Sequence, residues 1–217
     1  MKRVIAWEIR IYAIPGEPRE CLIPKNSPMS DIESKETIKS EPAVWFAMSA
    51  TFGRELKARE YLESRSVECF VPMRHAMVAD RRSGRTRRLV PAVSNLLFAR
   101  TTRRRLQEVK TGAPYLQYHT IPVEGRNVPI VVPDGEMERF MAVCRTLREE
   151  LVYLSPDEVD LRKDTPVRIE GGAFDGVEGS FLKVRKRRGR KVVVIVRGVA
   201  AVMITEVSDG YIKVLDR

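Results

Sequence analysis

Past Lys163 the chain offers only short β-like runs cut apart by glycine. They are Val167-Arg168-Ile169, Gly179 to Val184, Val192 to Val196 and Ala201 to Ile204, with Gly171-Gly172, Gly189 and Gly198 between them. Strands this short cannot stand alone, and a sheet of four or five of them must close or be covered to hide its apolar residues. The expectation is a small barrel over residues 164–217, stabilised by closing the sheet and filling it with Val and Ile, because so small a domain buries little else.

The stretch before it has a different texture. Ala43 to Ala50 is apolar and β-rich, as a strand buried on both faces is, and Gly53 breaks it. Arg54 to Arg65 has helical spacing, with Ala58, Tyr61 and Leu62 on one face and Lys57, Glu60 and Ser64 opposite. Glu68 to Val78 reads as extended, with Pro72 favouring an edge or a bulge. Ser83-Gly84 turns a hairpin, Leu96 to Ala99 and Tyr115 to Tyr118 read as strands, and Arg103 to Lys110 as a short helix. The clearest helix starts at Asp134, read as its N-cap, with Met137, Phe140, Met141, Cys144 and Leu147 forming an apolar stripe. Residues 44–152 are therefore expected to form an α+β sandwich, an antiparallel sheet with helices. Residues 1–43, rich in proline and mixed charge, read as a flexible leader, and 153–163 as a linker.

Charge and cysteine usage bound the function. Lys and Arg number 39 against 29 Asp and Glu, a net charge of +10, which points to a polyanionic partner. The leader is neutral, whereas residues 44–152 hold 19 basic and 12 acidic side chains. The apolar runs are too short for a membrane span. Cys21, Cys69 and Cys144 are dispersed without a CxxC pair, and only His75 and His119 could join them. Reduced thiols and no metal are the expectation. The Gly171 to Gly179 run lacks the GK[ST] ending of a P-loop, and a Cys144–His75 or Cys69–His75 dyad has no supporting pattern. The chain is read as a soluble cytoplasmic protein with no cofactor, no membrane partner and no enzymatic activity.

The segment from Asp164 to Val184, with Gly172, Phe174, Gly176 and Gly179 at its turns and a basic turn Lys186-Arg187-Arg188-Gly189-Arg190-Lys191 after it, resembles the KOW motif. Val44-Trp45-Phe46, then Gly53-Arg54-Glu55-Leu56-Lys57-Ala58-Arg59-Glu60-Tyr61-Leu62, then Glu68-Cys69-Phe70-Val71-Pro72, resembles the NusG N-terminal (NGN) domain. The order of parts is similar to the two-domain NusG plan over residues 44–217. Asn95 followed by Leu97-Phe98 is closer to the specialised RfaH and UpxY types. Arg197-Gly198-Val199 stands where relatives carry a Phe-Gly-Arg turn used in ribosome contact, so that contact is not expected.

The resemblance implies a bacterial transcription elongation or antitermination factor, UpxY-like and serving capsular or surface polysaccharide operons. It would act as a monomer, bind the clamp helices of RNA polymerase and lie against non-template DNA or nascent RNA. The docking residues implied are Trp45, Phe46, Val93, Leu96 and Phe98. For Trp45, Phe46 and Phe98 ordinary sheet core is the competing reading, so Val93 and Leu96 are the stronger candidates. Arg81, Arg82, Arg85, Arg87 and Arg88 on the hairpin suit phosphate oxygens, with a solvated charged turn as the alternative. Arg103, Arg104 and Arg105 open a helix, where the macrodipole disfavours cations, which also hints at an anionic partner. Lys186, Arg187, Arg188, Arg190 and Arg197 are candidates for contacting a KOW-domain partner of unknown identity. A free-standing KOW-type RNA- or DNA-binding protein is the rival function.

Overall fold

The computed structural model describes residues 41–217, apart from 81–83, 150, 155–157, 160–164, 185–187, 189, 206, 208–210 and 216–217. The leader expected from sequence thus lies almost wholly outside the described residues, as does Cys21.

Among the described residues the first element is β1 (Val44–Ala50), which turns into α1 (Glu55–Ser64). Val71-Pro72 separates β2 (Glu68–Phe70) from β3 (Met73–Asp80), and β4 (Gly84–Pro91) returns along β3. Then come β5 (Leu96–Thr101), α2 (Arg103–Thr111) and β6 (Leu116–Tyr118). A second hairpin, β7 (Thr120–Val123) with β8 (Arg126–Pro129), precedes β9 (Val131–Val132) and α3 (Asp134–Arg145). The remainder is β10 (Leu151–Leu154), β11 (Pro166–Ile169), β12 (Glu178–Lys183), β13 (Arg190–Val196), β14 (Ala200–Ile204) and β15 (Ile212–Val214). The protein is a mixed α/β fold, mostly strand, with three α-helices among the described residues.

Two main sheets carry the core. In the first the order is β2-β5-β1-β6, with β9 also paired to β1. β1 lies antiparallel to β5, with Phe46 opposite Ala99 and Met48 opposite Leu97. Because successive side chains alternate faces, this sheet has two buried sides. Phe46, Met48, Ala50, Leu97 and Ala99 pack with Ala58 and Leu62 of α1 and Leu106 and Val109 of α2. Trp45, Ala47, Leu96 and Phe98 pack with Met137, Phe140 and Cys144 of α3.

The second sheet runs β10-β14-β13-β12-β11-β15, antiparallel throughout. Its Val192, Val194, Val196 and Val202 belong to the same apolar cluster as α3 and Trp45, so α3 is packed between the two sheets. β10 is the unexpected member. The sequence pattern ends the first domain at 152 and begins a linker at 153, yet Leu151 and Leu154 are buried and pair with Ile204 and Ala201. The polar signal that suggests a linker starts only at Ser155, and a strand of four residues has too little alternation to announce itself.

The stripe on α3 ends earlier than its spacing suggests. The helix stops at Arg145, and Leu147 sits at φ +52, outside it. Asp134 is the first helical residue rather than the cap; Pro133 holds the cap position, and the Asp134 carboxylate faces Arg100 Nε at 3.6 Å. Acidic groups at 134 and 136 still favour that helix end through the macrodipole.

His119 joins β6 to β7. Its N–H donates to the Ala47 carbonyl and its own carbonyl accepts from Ile130, both at 2.9 Å, while its ring Nε2 is buried without a hydrogen-bond partner among the described residues. Burial lowers the imidazole pKa below its ordinary 6.5. The native state thus favours the neutral ring, so its contribution to stability is complete above 6.5 and is lost as pH falls below that value. Unfolding midpoints should drop as pH falls below 6.5, and His119→Gln should flatten that part of the profile.

Candidate docking face and nucleic-acid interface

The five apolar candidates do not share one surface. Trp45 and Phe46 are neighbours in β1 and point to opposite faces, Trp45 towards α3 and Phe46 towards α1 and α2. Leu96 and Phe98 join Trp45 on the α3 side, where Phe98 meets the edge of Phe140 at a centroid distance of 5.8 Å. All four are buried, at 3% exposure or less. Val93, in the turn between β4 and β5, is partly buried against that same cluster. The structure therefore groups Trp45, Val93, Leu96 and Phe98 and separates Phe46 from them.

The arginine hairpin is a two-stranded ribbon paired outside both main sheets. Arg81 and Arg82 lie outside the described residues. In the register, Arg85 stands opposite Ala79 and Arg87 opposite Met77, while Arg88 stands opposite Ala76 and Arg74 opposite Val90. Directly opposed residues share a face. Arg85 and Arg87 thus lie on one face with the exposed Met77, and Arg88 and Arg74 on the other. Arg87 reaches Glu149 at 2.7 Å, an exposed pair that adds little to stability. A basic two-stranded ribbon has the width to enter the major groove of a duplex.

The electrostatic conflict at the start of α2 is resolved within the chain. Thr102 caps the helix, its side chain accepting from the Arg105 N–H at 3.1 Å. The Glu41 carboxylate accepts from the backbone N–H groups of Arg103 and Arg104, at 3.2 and 3.4 Å. The anion that three arginines at a helix start call for is thus an internal carboxylate. Arg104 and Arg105 further pair with Glu108, and Arg105 donates to the Arg65 carbonyl. Sequence reasoning misses Glu41 because its partners lie some sixty residues away and no local pattern links them.

In the C-terminal sheet, Gly172 and Gly176 have positive φ and Phe174 is buried in the cluster shared with α3, under the Arg148 guanidinium at 5.6 Å. Gly179 faces β13 so closely that a methyl group there would lie 2.9 Å from the Val193 carbonyl oxygen. Lys186 and Arg187 lie outside the described residues. Arg188 is exposed and Arg190 begins β13. Arg197 is turned to α3, its backbone N–H and Nε within 3.3 and 3.5 Å of the Glu136 carboxylate.

Residues 43–141 match the NusG family. The family is described as "Transcription termination factor nusG", and the matched stretch runs from the start of β1 into α3, just under half of the chain. It therefore takes in the docking candidates, the arginine ribbon and α2, and leaves the C-terminal sheet outside. The similarity is to a transcription factor, not to an enzyme. No curated protein matches the chain. A solved structure described as "Crystal Structure of MjSpt4:Spt5 complex conformation B" covers 80% of this chain and 97% of that chain, at 13% identity and a TM-score of 0.27, too distant to carry weight.

Burial pushes the Cys69 thiol up to about 11 and the Cys144 thiol up to about 12, so both are protonated at neutral pH and poor nucleophiles. Among the described residues no three His, Cys, Asp or Glu are placed to hold a metal, and no helix is long and apolar enough to cross a membrane.

Proposed function

We propose that the chain is a transcription elongation factor of antiterminator type, which binds the clamp helices of RNA polymerase and favours processive transcription. The observation that carries this reading is the NusG match across residues 43–141. Docking uses the Val93 end of the α3-side cluster, with Trp45, Leu96 and Phe98 behind it as the apolar support. The ribbon arginines hold non-template DNA or nascent RNA, and the C-terminal sheet acts as a KOW barrel for a further protein partner. The Asn95 to Phe98 segment, similar to UpxY-type members, supports service to capsular or surface polysaccharide operons.

No bond chemistry is required. A factor that binds the closed clamp better than the open one shifts the population towards it. A tenfold preference needs about 1.4 kcal/mol, less than one well-buried aromatic side chain supplies.

The test is terminator read-through in a defined transcription reaction, with intact polymerase and with polymerase lacking the tip of the clamp helices. Read-through should rise with the first enzyme and not with the second. Equal read-through with both would overturn the docking site, and none with either, on the operon's own leader, would return the chain to a free-standing nucleic-acid binder.

A further inference from the structure

Glu55 is the one charged side chain buried among the described residues, at 3% exposure. It opens α1, where an acidic group suits the helix macrodipole. An exposed carboxylate would serve the helix as well, so that benefit does not account for the burial. Taking a carboxylate out of water is costly unless hydrogen bonds replace its hydration. The Glu55 carboxylate accepts the backbone N–H of Asn95, in the turn between β4 and β5.

Asn95 is the knot of that turn. Its φ is +61, a backbone that asparagine tolerates better than most side chains. Its carbonyl accepts from the Ala50 N–H at 2.9 Å, and its Oδ1 accepts from the Gly53 N–H at 3.1 Å. The end of β1, the start of α1 and the turn itself therefore meet at one residue. At the far side of the turn the Ala92 N–H donates to the Pro72 carbonyl at 2.8 Å. Val93 and Ser94 lie between these two fixed points. Val93 is the partly exposed member of the docking candidates, with Trp45, Leu96 and Phe98 buried in the cluster behind it.

We propose that Glu55 is a positioning residue for docking, which through Asn95 fixes the turn that presents Val93. The inference rests on the reading that the Val93 end of the cluster meets polymerase. Glu55 touches no partner itself, being covered by its own chain. A hydrogen bond to a charged group is stronger than one between neutral groups. A short turn that carries one apolar side chain gains from such an anchor, because every conformation that points Val93 elsewhere is lost to binding. A neutral amide at this position would keep an acceptor for Asn95. An apolar side chain would fill the space and release the turn.

The test measures the affinity of the full chain for core RNA polymerase, at a temperature where circular dichroism shows each variant fully folded. Glu55→Met fills the same space without an acceptor and should weaken binding about tenfold. Glu55→Gln keeps the acceptor and should stay within about threefold of the parent chain. Asn95→Gly tolerates the positive φ but drops the bond to Gly53, and should also weaken binding. It decides the matter if Glu55→Met does not fold. A lowered unfolding temperature with unchanged affinity, in Glu55→Met or Asn95→Gly, would make these residues supports of the fold alone and overturn the proposal. Equal losses in Glu55→Met and Glu55→Gln would overturn it too, because the acceptor would not be what matters. Polymerase lacking the clamp-helix tip separates the two readings. If the parent chain binds it as well as the intact enzyme, docking fails and the role of Glu55 with it. If docking stands and Glu55→Met binds like the parent chain, only the role of Glu55 fails.

Discussion

Replacing Phe140 with alanine is expected to lower stability by about 3–5 kcal/mol, the usual cost of removing a buried aromatic ring and leaving a cavity. Phe140 is fully buried on α3 and meets the edges of two other rings, Phe98 at 5.8 Å and Phe70 at 6.4 Å. Edge-to-face pairs add about 0.5–1.5 kcal/mol beyond area burial, and the substitution removes both. The helix cannot move inward to fill the space, because its neighbouring side chains also pack on the C-terminal sheet. With a total stability of about 5–15 kcal/mol for a domain, the variant should unfold at much lower denaturant, measured by circular dichroism in urea. A loss below about 1 kcal/mol would mean that the α3 side of the sheet is not packed as described.

Serine at Arg85, Arg87 and Arg88 together should weaken binding to a DNA-containing elongation complex and flatten its salt dependence. Each phosphate that is no longer neutralised reduces the slope of log affinity against log salt by about 0.7 on a single strand and 0.9 on a duplex. The two arginines of one face, Arg85 and Arg87, would change the slope by about 1.4–1.8. The fold should survive, because the Arg87–Glu149 pair broken by the substitution is exposed on both sides and exposed pairs contribute about 0–1 kcal/mol. Lysine at the same positions should preserve most of the slope while losing the bidentate geometry. An unchanged slope with serine would return the ribbon to a solvated charged hairpin. Division of the arginines between its faces sharpens the expectation, since a strand on one side meets Arg85 and Arg87 or Arg88, but not all three.

What the sequence discloses follows from how strongly each element repeats its pattern. α1, α2 and β5 fall within a residue or two of their expected bounds because each has an apolar face of regular spacing or an unbroken buried run. The β7–β8 hairpin escapes notice, although Glu124-Gly125 is a turn signal and both residues have positive φ. Pro122 and Pro129 inside its short strands mask the alternation. Leu147 has the right spacing for α3 and the wrong backbone, since nothing in a hydrophobic pattern reports where a helix unwinds. At the candidate site, alternation in β1 already implies that Trp45 and Phe46 cannot face one partner together. Packing between distant segments, such as Glu41 on α2 or Phe140 on Phe70, has no local trace.

The pairing of β10 with β14 also sets an order of events during synthesis. Leu151–Leu154 leaves the ribosome ahead of Ala200–Ile204, by a delay on the order of a few seconds at ordinary translation rates. Through that interval the nascent chain presents a strand edge with no neighbour, the kind of surface that recruits other chains. A protein cut after residue 154 would keep that edge permanently, together with the apolar side of α3 that β13 and β14 otherwise cover. The NusG-like region, expressed by itself, should therefore be handled as half of a folding unit, with its boundary drawn before Leu151.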